Sequence, residues 1–404
     1  MGISLEGIKV IQPASAGAAP MAGKFLADWG ADVICVEHTT RKAQSKQKQA
    51  NRGSRGLTAD VDYSAQNINR NKRGITLNLA TEEGLAILHE LLDGADVMVT
   101  NFRPRELKKF KLEYETLSKT NPRIICGHLT GWGRKGADAD KPAYGPLADA
   151  RSGILHVLQA PGTEPPQMSV AFADYITGMS LALGIMTALF LREKTGIGQE
   201  VDVSLLNTLV WVNSFDVSAS LVTGKDRQAV KRRDRATPTM NTYKTKDGRW
   251  LFVAGMELKP FYWSRFCNAI GRPDLENDER FEKIEARRVN DVALFDILEE
   301  VFLTRTFQEW KDCFSKQDFP WAPLQNLPEV CVDPQAIAND YFVPVEHPKY
   351  GTIKLVANPI KLSKTPHEIR TPAPEAGQHN EEVLSELGYG KEDIEGFREK
   401  GVIL

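Results

Sequence analysis

Through the first half of the chain, short apolar runs alternate with helical patterns, and that alternation restricts the fold to a parallel sheet flanked by helices. Ile8–Ile11, Asp32–Val36, Asp96–Thr100 and Arg123–His128 read as strands. Met21–Trp29 and Glu82–Leu92 read as helices, the second capped by Thr81 and carrying acids in its first turn. Between the second strand and the third runs a polar stretch, residues 42–71, which reads as a long surface loop. From Ile176 to Leu191 the helical pattern is apolar nearly all round, the mark of a core helix, and Gly178, Ser180 and Gly184 on it would let other backbones approach closely. Glu200–Val210 reads as a strand running into a helix.

Near Thr223–Arg235 the composition turns strongly charged, which places a domain boundary there. Beyond it, Asn241–Thr245 and Arg249–Val253 flank Lys246-Asp247-Gly248, a hairpin signal, followed by helical segments at Pro260–Ile270, Val292–Leu303 and Thr306–Phe314. This part is smaller and of α+β type. The tail returns to helix at Glu381–Leu387 and Lys391–Glu399.

Composition narrows the function classes. With 404 residues, 42% of them hydrophobic and 26% charged, the chain has the length of two or three globular domains. A formal net charge of −2 argues against general nucleic-acid binding while leaving room for a small basic pocket. The five cysteines (Cys35, Cys126, Cys267, Cys313, Cys331) form no CxxC pair, so neither a zinc knuckle nor a disulfide framework is expected, and Cys35 and Cys126 fall in core strands. The start, Met1-Gly2-Ile3-Ser4-Leu5-Glu6, has no signal-peptide pattern and fails the myristoylation pattern at Glu6, so a cytoplasmic protein with no membrane association is expected.

Individual motifs leave the chemistry open. Glu37 ends the second strand, where a dinucleotide-binding fold places its ribose acid, but the first loop, Ala14-Ser15-Ala16-Gly17-Ala18-Ala19-Pro20, lacks GxGxxG. That loop is rich in small residues and feeds a helix N-terminus, where a ligand could come close. The basic runs Arg70–Arg73 and Arg103–Lys109 are either solvated faces or partners of a phosphorylated ligand. The seven histidines have no metal spacing and no GxSxG elbow occurs. Asp174, just before the apolar helix, is either an ordinary N-cap or a carboxylate aimed at an electrophile, because a helix start also steadies a developing oxyanion.

Taken in order, a series of motifs resembles the class III CoA-transferases. It comprises Leu5–Val10, Ala27–Ile34, Asn71–Ile75, Asn101-Phe102-Arg103-Pro104, Leu129-Thr130-Gly131-Trp132-Gly133, Lys194–Gln199 and Gly377-Gln378-His379. The related α-methylacyl-CoA racemases pair a histidine with an aspartate. Aligned on Ser152-Gly153, their histidine falls at Tyr144, which together with Asp174 is the transferase combination. The resemblance implies an α/β fold. Its Rossmann-like large domain would come from residues 1–222 and the returning segment 336–404, with a small α+β domain at 223–335 and two copies interlocked as a homodimer.

The resemblance also implies CoA transfer from an acyl-CoA to a carboxylic acid through an anhydride and an aspartyl-CoA thioester on Asp174. CoA enters as substrate, with no tightly bound cofactor and no metal. Carried over by position, the CoA contacts are Gly17, Ala18, His38, Leu77, Asn78, Leu79, Ala80, Asn101, Phe102, Arg103, Lys109 and Tyr144. The chain departs from the family pattern at Gly17, often glutamine in oxalate-type members, and at His38 and Lys109, each in place of an arginine. Lysine keeps the charge but loses the bidentate fork. Val253–Leu258 replaces a run of glycines over the site, which points to an acid larger than oxalate. Thr237–Tyr243 is most similar to the branch acting on aryl or branched 2-hydroxy acids. The alternatives are an α-methylacyl-CoA racemase and a non-catalytic subunit of a heteromeric transferase.

Overall fold

The strands expected from the sequence form a parallel sheet, joined by one more strand, Lys72–Thr76, that the sequence does not single out. A computed structural model describes residues 3–15, 17–40, 61–168, 170–227, 229–234 and 237–404. Among these, β1 (Lys9–Pro13), β2 (Asp32–Glu37), β3 (Lys72–Thr76), β4 (Val97–Thr100), β5 (Ile125–Thr130) and β6 (Glu200–Ser204) make one sheet in the order β3-β2-β1-β4-β5-β6. Val10 of the central β1 aligns with Val33 on one side and Val97 on the other. All three are buried, as continuous apolar strands covered on both faces should be.

The helices of this sheet unit are α1 (Ala18–Asp28), α2 (Tyr63–Asn69), α3 (Glu82–Asp93), α4 (Pro104–Phe110), α5 (Gly145–Arg151), α6 (Phe172–Thr195) and α7 (Leu205–Val212). Two cores result. One packs α1, α6 and α7 against the sheet; the other packs α3, α4 and the C-terminal helices Asn380–Glu386 and Lys391–Glu399. Gly178 explains how α6 reaches α1: a Cβ there would lie 2.6 Å from the Ala18 carbonyl oxygen and 2.6 Å from Met21 Cβ.

Contacts divide the chain into two compact units. One is Met1–Leu158, Pro166–Lys225 and Gln335–Leu404; the other is Gln159–Pro165 and Asp226–Pro334. The second unit holds the expected hairpin, Asn241–Lys244 against Trp250–Val253, with Gly248 in the turn at φ +80. A third strand, Trp321–Pro323, completes its sheet and is too short to show in the sequence. The core beneath is aromatic, with Tyr243 stacked on Phe302 at 4.7 Å and Phe302 against Trp310 at 5.0 Å.

Three readings need correction. Of the supposed loop at 42–71, residues 42–60 lie outside the described residues, but 63–69 is helix α2, capped by the Asp62 carboxylate accepting from the Ala65 N–H at 3.0 Å. Its polar residues are used internally: Gln66 meets His347 at 3.2 Å and accepts from the Ala373 N–H.

The Arg70–Arg73 run is not a solvated face, because its charges are paired or hydrogen-bonded within the fold. Arg70 is fully buried and bidentate to Asp28, at 3.0 and 2.7 Å, while Asn71 donates to Asp28 and to the Glu368 carbonyl. Arg73 pairs with Asp32, Glu382 and Glu386.

Helix α6 is also not buried all round. Met179, Leu183, Phe190 and Leu191 are exposed on it, beside Trp211, Phe215, Leu221 and Val222 on the next two helices. By length and composition α6 could cross a membrane, yet its inner face, with Leu181, Ile185 and Leu189, is part of the first core.

Two stability predictions follow from the buried polar groups. Asp28→Ala leaves the buried Arg70 guanidinium uncompensated and should lower unfolding free energy by about 3–5 kcal/mol, read as a shift of the urea midpoint. His128 on β5 is buried with neither ring nitrogen hydrogen-bonded among the described residues, and burial together with the Arg134 charge holds its pKa down to about 3. The unfolded chain therefore binds a proton at pH values where the folded chain does not. Stability should fall as pH drops below about 6.5, continuing toward 3, and a His128→Leu chain should show a flatter acid limb in denaturation.

Candidate active site

Parallel strands present all their carboxyl ends on one edge, and where the strand order reverses, between β1 and β4, the chains leaving them diverge and open a crevice. A cavity of about 550 Å³ lies there, within the size range of small-molecule sites. Gln12–Ser15 at the end of β1, Val36–His38 at the end of β2, Leu77, Leu79 and Ala80 after β3, and Phe102, Glu106, Lys109 and Phe110 around α4 line it. Ala65, Ile68 and Asn69 of α2 close another side.

Of the residues expected to contact CoA, His38, Leu77, Leu79, Ala80, Phe102 and Lys109 line this cavity. The others stand behind it or beside it. Asn101 brackets the first loop, accepting from the Ser15 N–H at 3.1 Å and donating to its carbonyl at 2.7 Å. Arg103 binds Glu106 at 2.9 Å, which holds the Glu106 carboxyl below its usual pKa. Asn78 receives its backbone bond from the far end of the chain, donating its N–H to the Val402 carbonyl at 2.8 Å. Ala18 is buried, Gly17 faces Asp174 instead, and Tyr144 is the exposed residue before Gly145, which also faces Asp174.

The electrostatics of the wall are uneven. Lys109 lies 5.2 Å from the Phe110 ring centre and pairs with no carboxylate among the described residues, so its charge faces the cavity uncompensated. Lys72 is internal: its ammonium donates to Gln12 Oε1 at 3.1 Å, the Pro20 carbonyl at 2.8 Å and Asn69 Oδ1 at 3.1 Å, and burial pulls its pKa down to about 7. It thereby ties β1, α1 and α2 together behind the cavity.

Asp174 is not the N-cap. Ala171 occupies that position, with no side-chain cap, and Asp174 is the third residue of α6. Its two oxygens face two glycines from other elements. A Cβ on Gly17, the N-cap of α1, would lie 2.8 Å from Oδ2; one on Gly145, the first residue of α5, would lie 3.6 Å from Oδ1. At Gly17 the approach needs a residue without a Cβ, whereas a Cβ at Gly145 would make ordinary contact. The carboxylate is half-buried and accepts no hydrogen bond among the described residues, and burial, followed by the nearby Asp149 charge, raises its pKa. Tyr144, the N-cap of α5 and the residue before Gly145, is 68% exposed. An ionised carboxylate that lacks partners and sits at a helix start is chemically available as a nucleophile.

Sequence reasoning missed the α2 wall, Phe110 and Asp149. Phe110 carries a usable signal, directly following the basic run Arg103–Lys109, but α2 and Asp149 carry none without the fold.

The model of CoA-transferase family III matches residues 5–380, and the chain belongs to that family. It is 33% identical over 403 residues to (R)-2-hydroxy-4-methylpentanoate CoA-transferase of Clostridioides difficile, covering 99% of each chain. It is 35% identical over 395 residues to cinnamoyl-CoA:phenyllactate CoA-transferase of Clostridium sporogenes, covering 96% of this chain and 95% of that one. Among solved structures, a CAIB/BAIF family protein from Brucella suis superposes with a TM-score of 0.82 at 28% identity, covering 96% of this chain and all of that one. The protein is a CoA-transferase acting on CoA thioesters.

Gly17→Ala should push the Asp174 carboxylate aside without opening a cavity. A fall of about a hundredfold in kcat with little change in Tm is expected, because a misplacement of about 1 Å carries that kinetic cost.

Proposed function

We propose that the chain transfers CoA from an acyl-CoA to a carboxylic acid with Asp174 as nucleophile. The observation that carries this reading is the half-buried Asp174 carboxylate on α6, without a hydrogen-bond partner among the described residues, set between Gly145 and Gly17, the latter on the loop whose preceding residues line the cavity. The CoA nucleotide occupies that cavity, with Lys109 and His38 toward its phosphates and Phe102 and Phe110, 5.5 Å apart, offering an aromatic wall. Gly17, Ala18 and Tyr144 flank the thioester end.

An oxygen of Asp174 attacks the thioester carbon; the C–S bond breaks, and CoA leaves as thiolate from a mixed anhydride. The thiolate attacks the Asp174 carbonyl and expels the donor acid, leaving aspartyl-CoA. The acceptor carboxylate then runs the same steps backwards, and backbone N–H groups near the helix starts steady each oxyanion. The acid is an aryl or branched 2-hydroxy acid, the class named for the two relatives above.

The sheet order supports a Rossmann-like large domain. The apolar face formed by Leu183, Phe190, Trp211, Phe215 and Leu221 supports a homodimer, interlocked in the manner the family resemblance implies. A cytoplasmic location goes with five free cysteines.

Intact mass after incubation with 2-hydroxy-4-methylpentanoyl-CoA and cinnamoyl-CoA, followed by hydroxylamine trapping, should reveal an adduct that maps to Asp174. Asp174→Ala should lose at least about a thousandfold in transfer rate. Full activity in Asp174→Ala would refute the reading, and α-deuterium exchange without adduct would turn it into racemisation.

A further inference from the structure

A second carboxylate is built into the contact between α5 and the first turn of α6. Asp149 lies four residues beyond Gly145 on α5, hence on the same helical face, and Gly145 is the residue set against Asp174 Oδ1. Asp149 is 2% exposed, and its Oδ1 has no hydrogen-bond partner among the described residues. Thr177, one turn beyond Asp174 on α6, adds a buried hydroxyl that likewise has no partner among the described residues. Buried carboxylates are ordinarily paired or hydrogen-bonded, since burying a bare charge is costly. A bare one beside the proposed nucleophile calls for a role in the chemistry.

Resting on the reading of Asp174 as nucleophile, we propose that Asp149 is a positioning residue whose negative charge keeps Asp174 reactive and favours its acylated forms. When Asp174 attacks the thioester, its oxygen bonds the acyl carbon, the C–S bond breaks, and the electron pair leaves with the CoA sulfur. The charge on Asp174 is lost in that step and in the later aspartyl-CoA. The ionised Asp149, whose own pKa burial raises, therefore raises the energy of the free carboxylate and leaves the covalent states nearly untouched. Protonation removes the same charge, so Asp149 also opposes ionisation of Asp174.

The other titratable groups on elements packed around these two helices are engaged elsewhere or, as with Tyr175, titrate far above the carboxylate range. They are Lys24 and Asp28 on α1, Cys126 and His128 on β5, Glu200 and Asp202 on β6, Tyr144, Arg151 and His156 around α5, and Tyr175 on α6. Lys24 binds Asn67, Asp28 binds Arg70, Arg151 binds Asp138, and Glu200 binds Arg134. Asp149 is the charge that acts on Asp174.

The test is Asp149→Asn in the full-length protein, with 2-hydroxy-4-methylpentanoyl-CoA as donor and single-turnover thiol release followed against pH. The acid limb should move down by roughly half to one pH unit, and the fraction of enzyme trapped as adduct should fall about three- to tenfold. An acid limb that stays in place, whatever happens to the rate, overturns the proposal. A second measurement needs no substitution at Asp149. Carboxyl ¹³C titration of Asp174 in the native protein, assigned against Asp174→Asn, should show a curve coupled to a second group. A simple one-proton curve overturns the proposal equally. Asp174→Ala that retains transfer would bring down the nucleophile reading itself; an inactive Asp174→Ala with an unmoved Asp149→Asn limb brings down this inference alone.

Discussion

The site depends on one close contact, that of Gly178 on α6 with the start of α1. A helix pair normally keeps its axes about 8–10 Å apart through side chains. Here the missing Cβ lets the α6 backbone press on the Ala18 carbonyl and Met21. Asp174 lies four residues before Gly178, and Gly17 four residues before Met21, so the same contact brings the carboxylate to the α1 N-cap one turn higher. Replace the glycine and the helices part; the carboxylate then loses the neighbour that defines its position.

Around that contact the polarity is arranged unevenly. Lys72 and the Asp28–Arg70 pair are charges taken out of water and fully supplied with partners, and they serve as fastenings. Asp174 and Asp149 are carboxylates withdrawn from water and left without hydrogen bonds among the described residues. The first kind of burial stabilises a shape. The second kind stores electrostatic free energy in the unreacted enzyme, and a reaction that neutralises the carboxylate releases it.

Much of this was legible in the sequence where hydrophobicity did the work. The β1, β2, β4 and β5 runs are apolar because parallel strands are covered on both faces, and the hairpin at Lys246–Gly248 is marked by its turn residues, whereas β3, Lys72-Arg73-Gly74-Ile75-Thr76, did not read as a strand. Polarity misled wherever polar groups are satisfied inside. Helix α2 and the Arg70–Arg73 run look solvated in one dimension because their partners, His347, Glu368, Ala373 and Glu382, stand some three hundred positions away. The Phe342–His347 and Gly351–Val356 hairpin was missed too, its Val and Ile diluted by exposed Lys, Glu and Thr. Asp174 stood out by its place before an apolar helix, but the glycines that face it are distant in sequence and only the fold could join them.

The same long reach governs the order in which the molecule can be made. Asp28 receives Asn358 as well as Arg70, Thr76 receives Asn380, and Asn78 closes on Val402. A nascent chain that has emitted all six strands still lacks the groups that satisfy the third. The sheet edge at β3 must wait, unpaired and open to other chains, until the final helices leave the ribosome. Synthesis of the intervening unit sets the length of that wait, so the interval between the sixth strand and the last helix is the period in which this protein is most exposed to misassembly.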